Sequence, residues 1–328
     1  RSLHKKASDH PGAIHPQSPP RKEQVLQLEN TKEHLPESAN VLQMNKRWVH
    51  YFITGEDLPL EQSHHFPAQR ISTKLVWEDV VLEDAVFEQV NEISAWLNHS
   101  AELMDEWGLD RKIKPGFRAL FYGPPGTGKT LTATLLGKTT NRAVYRVDLS
   151  MVVSKYIGET EKNLARIFDI AEHKDWILFF DEADSLFGKR TAANSSNDRH
   201  ANQQTGYLLQ RIEDFPGVVI LATNLKDNMD QAFSRRFQAM IHFDMPGPEQ
   251  RYQLWLNAFS GKCKLADDID VFQLAEKYEL AGGAIINVLR NCALAVVQRN
   301  ETVVQKQDLV KALRKEFKKE HKTLTQEF

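Results

Sequence analysis

The octapeptide Gly123-Pro-Pro-Gly-Thr-Gly-Lys-Thr130 constrains this chain more than any other stretch. It fits G-x-x-x-x-G-K-[ST] at each fixed position. An apolar run, Ala119-Leu120-Phe121-Tyr122, leads into it, and helical Leu131 to Lys138 follows. Glycines let the backbone curl until successive N–H groups point inward, and the helix behind adds the positive end of its dipole. A strand, a loop and a helix in that order build a cradle for phosphate oxygens. In such a cradle the Lys129 ammonium reaches β- and γ-phosphates, and the Thr130 hydroxyl ligates Mg2+. A chance glycine turn would lack both flanks.

The rest of the pattern agrees with that loop. Strand-like runs cover Ala143 to Val147, Ile177 to Phe180, Val218 to Leu221 and Met240 to Phe243, with helical segments between them. Phe87, Val90, Ile93 and Leu97 have helical spacing. Strands alternating with helices predict a parallel sheet covered on both faces. Past Met245-Pro246-Gly247-Pro248 the strands stop. Helices are expected over Arg251 to Phe259 and Val271 to Tyr278. A third follows Gly282-Gly283, burying Ile285, Val288, Leu289, Cys292 and Val296. A fourth is expected from Asp308 as N-cap, burying Leu309, Leu313 and Phe317. The expected fold is therefore α/β: a P-loop NTPase parallel sheet sandwiched by helices, then a small all-helical lid domain.

The expected organisation has four parts. Residues 1–45 carry scattered Pro11, Pro16, Pro19, Pro20 and Pro36 and little apolar periodicity, and read as a disordered or linker arm. Residues 46–74 form a short segment without assignment. Residues 75–245 are the large ATP-binding domain and residues 246–328 the lid. The chain opens on Arg1 rather than Met, as a fragment of a longer protein would.

Charge narrows the partners. With 42 Lys+Arg against 44 Asp+Glu, net −2, there is no basic excess and nucleic acid is not the default ligand. No apolar run is long enough to span a bilayer, and the first residues carry no signal-peptide pattern, so a cytoplasmic location without membrane insertion is expected. Cys263 and Cys292 alone make neither a disulfide framework nor a zinc site.

Three further clusters carry chemistry. Ile177-Leu-Phe-Phe-Asp-Glu182 is a buried strand ending in two carboxylates. Asp181 suits a Mg2+ ligand, and Glu182 suits the base that polarises a water for attack on the γ-phosphate. Leu221-Ala-Thr-Asn224 ends the next strand, where polar groups of a parallel sheet face the ligand crevice, so Asn224 can orient that water. Ser234-Arg235-Arg236-Phe237 precedes the last strand. Arg235 and Arg236 are read as fingers that reach a neighbouring subunit's γ-phosphate; the bland reading is a solvated charge pair.

This order of P-loop, acidic strand end, polar strand end, paired arginines and helical lid resembles the AAA family of ATPases, over roughly residues 75 to 320. The sequences Pro124-Pro125-Gly126-Thr127 and Asp181-Glu182-Ala183-Asp184 are typical of that family within the P-loop proteins. The resemblance implies ATP and Mg2+ as cofactors, with Gly123 to Leu131 and Asp181 at the nucleotide. It also implies a homo-oligomeric, usually hexameric, ring acting on protein substrates. Lys155-Tyr156-Ile157-Gly158 resembles the pore loop of protein-translocating members, an exposed aromatic that wedges against any polypeptide; the alternative is that Tyr156 and Ile157 pack into the core. Polar Arg190 to His200 suits a second pore loop. The run from Asp198-Arg199-His200-Ala201-Asn202 to Ile212-Glu213-Asp214 is similar to single-ring bacterial members, some associated with contractile injection particles. Two positions depart from the wider superfamily. Leu280-Ala281-Gly282-Gly283-Ala284 occupies the lid position where many relatives place an arginine; Ala284, Ile285 and Ile286 leave no cation until Arg290, so nucleotide sensing by the lid is expected through packing and backbone. Val80-Val81-Leu82 replaces a glycine-containing linker beside the adenine. Competing readings are a nucleic-acid motor or loader of the same superfamily and an ATP-binding scaffold without turnover. Basic Lys311 to Lys322 is expected to be a solvated helix face.

Overall fold

The computed structural model describes residues 26–29, 41–44, 53, 68–147, 149, 159–184, 206–224 and 235–319. The chain divides into two compact units, Arg1–Ser63 and His64–Phe328. In the first, β1 (Leu26–Glu29) and β2 (Val41–Met44) pair antiparallel, with Leu26 opposite Met44 and Leu28 opposite Leu42. The expectation of an arm without regular structure does not hold for these eight positions. Their period-2 alternation is only four residues long on each side, too short to stand out from the prolines around it.

The second unit is built on a six-stranded sheet of order β3-β5-β6-β7-β4-β8. Its strands are β3 (Ala68–Ile71), β4 (Phe117–Tyr122), β5 (Val144–Val147), β6 (Ile177–Phe180), β7 (Val218–Thr223) and β8 (Ala239–His242). All neighbours are parallel except β3, which runs antiparallel to β5 at the edge. Every residue of β4, β6 and β7 is buried, as a sheet covered on both faces requires. β3 starts ahead of Leu75, where regular structure was expected to begin. Its sequence AQRI shows one buried and two exposed residues, the mark of an edge strand rather than an apolar run.

Helices α1 (Asp84–Ala101), α2 (Lys129–Thr139) and α3 (Glu159–His173) connect the strands. The buried face of α1 is Val86, Val90, Ile93 and Leu97, which join the sheet core. Phe87, expected on that face, is 40% exposed. It meets Trp77 edge-on at 5.6 Å. Val86 takes its place because i, i+4, i+7, i+11 tracks the helix stripe more closely.

After Pro246-Gly247 come α4 (Pro248–Ala258), α5 (Val271–Lys277), α6 (Gly282–Gln298) and α7 (Lys306–Lys319), around a separate core that includes Trp255, Leu274, Val288, Cys292 and Leu313. The lid is not wholly helical: β9 (Lys264–Leu265) and β10 (Val303–Val304) pair in parallel. Asp308 is not the N-cap of α7. It sits inside the first turn, reaches back to accept the Gln305 N–H at 3.1 Å, and holds Arg299 through two contacts of 2.8 and 2.6 Å.

Candidate functional site

The loop between β4 and α2 depends on three glycines with positive φ: Gly123 at 136°, Gly126 at 77° and Gly128 at 104°. At Gly123 a Cβ would stand 2.0 Å from the Phe243 carbonyl oxygen, so no side chain fits there. The Thr127 hydroxyl closes the turn by donating to Pro124 O at 2.9 Å. Lys129 opens α2 and folds back inside the loop, donating to Gly123 O at 2.7 Å and Pro124 O at 2.8 Å. Burial pushes its pKa below the usual lysine value, and Asp181 and Asp184 pull in the opposite direction. These are the contacts of a cation held where anionic oxygens would otherwise receive it.

A cavity of about 560 Å3 opens at this loop. Pro125 through Leu131 line it, and so do Asp181, Glu182 and Asn224 from the C-terminal ends of β6 and β7. Gly123 and Pro124 lie behind that wall and shape it. Thus residues from three separate stretches of sequence converge on one crevice, outside the carboxyl ends of parallel strands. Thr130 and Asp181 offer a hydroxyl and a carboxylate, hard oxygen donors that fit Mg2+.

The two carboxylates differ. Asp181 Oδ1 accepts the N–H of Glu182 at 3.1 Å, and Glu182 itself takes φ +51°, a left-handed conformation uncommon for a residue with a side chain. Asn224 is fixed by a residue the sequence reading quoted only as part of a pattern. Asp184 Oδ1 accepts the Asn224 N–H at 3.3 Å and also the Thr223 hydroxyl. The Ala183 N–H donates to Ala222 O at 2.8 Å, tying the two strand ends together.

The cavity also includes Leu75, Val80, Val81 and Leu82, and the lid contributes Gln250, Leu254, Ile286, Asn287 and Arg290. Of these, Val80-Val81-Leu82 was expected beside the adenine and Arg290 was noted as the first lid cation. No local pattern marks Leu75, Gln250, Leu254 and Asn287, because they meet only when the lid folds against the sheet domain. The lid is docked on the loop directly: Gly283 N–H donates to Gly126 O at 3.0 Å.

Arg235 and Arg236 are elsewhere. They line a second cleft of about 450 Å3 with Trp96, Lys114, Phe117, Arg118 and Glu213. Arg236 Nη1 meets Glu213 Oε1 at 2.6 Å. The turn carrying them is locked to the start of β4, where Gln238 N–H donates to Arg118 O at 2.9 Å and Arg118 N–H to Gln238 Oε1 at 2.7 Å. The phosphate loop leaves the other end of β4. Between Phe117 and Tyr122 the strand itself covers roughly 16 Å at about 3.3 Å per residue. Arg118 was not foreseen either. Its buried guanidinium gathers the carbonyls of Ile212 at 3.1 Å and Phe215 at 2.9 Å, and that of Glu213, from the end of the helix over 206–214. Lys155, Tyr156, Ile157, Gly158 and Arg190 to His200 lie outside the described residues.

Residues 119–245 match the ATPase family associated with various cellular activities (AAA). The proteasome-activating nucleotidase of Archaeoglobus fulgidus is 34% identical over 251 residues, 74% of this chain and 62% of that protein. That of Methanocella arvoryzae is 33% identical over 223 residues, 66% of this chain and 53% of its own length. That of Pyrococcus horikoshii is 34% identical over 233 residues, 69% and 57%. The chain therefore spans between half and two thirds of the length of these curated relatives.

Proposed function

Since the chain carries an AAA domain over residues 119–245, we propose that it is an ATP-hydrolysing ring ATPase that remodels, unfolds or disassembles protein substrates by threading them through a central pore. The observation that supports this best is the convergence of Lys129, Asp181, Glu182 and Asn224 on one cavity. In this reading the loop from Gly123 to Leu131 binds the triphosphate of ATP, and Lys129 exchanges its two loop carbonyls for β- and γ-phosphate oxygens. Thr130 and Asp181 would hold Mg2+, which neutralises phosphate charge when bound. Glu182 takes the proton of the attacking water, and Asn224, steadied by Asp184, orients that water.

Arg235 and Arg236 supply the reason for a ring. They stand at the opposite end of β4 from their own phosphate loop, which supports the reading that they serve the site of an adjacent copy. A homo-oligomer, hexameric in our reading, closes such head-to-tail contacts. The relatives are proteasome-activating nucleotidases; for this chain we carry over ATP hydrolysis coupled to the handling of protein. Tyr156, flanked by Lys155, Ile157 and Gly158, is our candidate for the gripping side chain, since an aromatic offers contact area at little entropy cost.

The test measures ATP turnover with unfolded protein and, separately, with DNA. Stimulation by the protein alone is expected. Stimulation by DNA alone would favour the nucleic-acid motor, and no turnover under any condition would favour a scaffold. Tyr156→Ala should keep its melting temperature and basal ATPase and lose substrate processing; a large fall in melting temperature would mean that Tyr156 is a core residue, whose truncation costs about 3–5 kcal/mol.

A further inference from the structure

The lid wall of the cavity holds one cation without an assigned task. We propose that Arg290 reads the nucleoside half of the bound nucleotide, a proposal that rests on the ATP-binding reading above.

Helix α6 is pinned at its first turn to the phosphate loop, by the Gly283 N–H on Gly126 O at 3.0 Å. Gly283, Ile286, Asn287 and Arg290 all line the cavity. Their spacing of 0, 3, 4 and 7 places them on one face of the helix, stacked away from that anchor. At about 1.5 Å per residue, Arg290 Cα stands roughly 10 Å along the axis from Gly283. Helical side chains lean back over the preceding turn, which sets the guanidinium above Ile286 and Asn287, beyond the phosphate loop itself.

What surrounds that position suits a base and its sugar. Ile286 and Leu75 are 48% and 42% exposed, apolar groups on the two walls of the same cavity. Val80, Val81 and Leu82 extend the apolar wall. The polar neighbours are occupied. Asn287 Nδ2 donates to Glu316 Oε1 at 2.9 Å, and Asp79 Oδ2 accepts the Val76 N–H at 2.9 Å. Arg290, in contrast, is exposed and makes no hydrogen bond or ion pair among the described residues. A planar guanidinium at the rim of an apolar slot can lie flat on a purine while its edge donates to ring nitrogens or ribose hydroxyls.

Calorimetric titration of the full chain with ATP, ADP and inorganic tripolyphosphate, each with Mg2+, tests this. Arg290→Ala should weaken ATP and ADP by the same factor, on the order of tenfold, and leave tripolyphosphate unchanged. Arg290→Lys should recover only part of the loss, since an ammonium does not stack as a plane. Unchanged ATP binding in Arg290→Ala would overturn the proposal. So would a loss shared by tripolyphosphate, or one larger for ATP than for ADP, because either would put the guanidinium on the phosphates. If the unsubstituted protein binds neither ATP nor tripolyphosphate, the ATP-binding reading itself fails and the proposal falls with it.

Discussion

The N–H of Gly283 in the lid donates to the carbonyl of Gly126 in the phosphate loop at 3.0 Å. One backbone hydrogen bond thus links the glycine-rich loop to the first turn of α6 in the lid. Space at the contact is tight at Gly283, and Gly126 takes φ +77°, which favours glycine. A Cβ at Gly283 would meet Gly126 Cα at 3.2 Å, and one at Gly126 would meet Ala281 Cβ at 3.4 Å. Gly283→Ala should therefore push the lid off the loop and weaken ATP binding several-fold with little change in melting temperature. Gly123→Ala should behave differently, since its Cβ would overlap Phe243 O at φ +136°. There we expect a stability loss of about 1–3 kcal/mol, visible in thermal unfolding without any nucleotide.

Lys129 and Glu182 share the cavity, and in the proposed reading they serve different steps. Lys129→Ala removes the charge that meets bound phosphate and should abolish nucleotide binding. Glu182→Gln keeps the shape and loses only the base, so binding should persist while turnover stops. Equilibrium binding and phosphate release, measured on the same samples, separate the two. Wild-type turnover in the Gln variant would remove Glu182 from the mechanism.

The position of Arg236, paired with Glu213 at 2.6 Å and remote from its own loop, predicts action in trans. Arg236→Ala should lower turnover by a factor on the order of 10³, and Arg235→Ala in the same direction, with nucleotide affinity nearly constant. Mixing Arg236→Ala protein with Lys129→Ala protein should restore part of the activity, because each contributes to a shared interface what the other lacks. Absence of rescue where mixed assemblies demonstrably form would count against it.

How much of this was legible in the sequence depends on whether a residue's task is local. The phosphate loop was readable because positive φ at Gly123, Gly126 and Gly128 is a demand that glycine alone meets cheaply. Strands β4, β6 and β7 were readable because burial on both faces leaves apolar runs, Ala119 to Tyr122, Ile177 to Phe180 and Val218 to Ala222. β3 was not, since an edge strand tolerates Gln69 and Arg70 on its exposed side. Arg118 was not read at all, since the apolar run begins after it; its reason is a set of carbonyls almost a hundred residues away. Arg290 and Asn287 belong to the cavity only through the docking of two cores, which no window of sequence contains.

Asp308 illustrates a local pattern misread by three residues, and its geometry carries its own prediction. The hydrogen bonds from Arg299 hold the Asp308 carboxyl below the ordinary aspartate range, with the Gln305 N–H adding to the effect. A carboxylate held low stabilises the folded state above its unfolded pKa, and that contribution fades as pH falls through the folded value. Asp308→Asn should therefore lower the melting temperature at neutral pH. The gap between variant and parent should close on the acid side of about pH 4. A gap that stays constant with pH would mean that the side chain acts by shape, not by charge.

Lys129 supplies the opposite case. Burial lowers its pKa in the nucleotide-free protein, with Asp181 and Asp184 only partly offsetting the effect. A lysine held low releases its proton in the folded state before the unfolded chain does. Between the lowered value and the ordinary 10.5, stability of the nucleotide-free protein should accordingly rise with pH. Bound phosphate oxygens favour the charged ammonium and raise the pKa again, so ATP binding must take up protons wherever free Lys129 is partly neutral. Calorimetry in buffers of different ionisation enthalpy counts them. We expect net uptake that grows with pH above the range where ATP's own terminal phosphate titrates, and an ATP affinity that declines over the same interval. Lys129→Arg, whose guanidinium stays charged, should show no such uptake whatever its affinity. Proton release, or uptake that persists unchanged in the Arg variant, would show that Lys129 is not the group through which binding and pH are coupled.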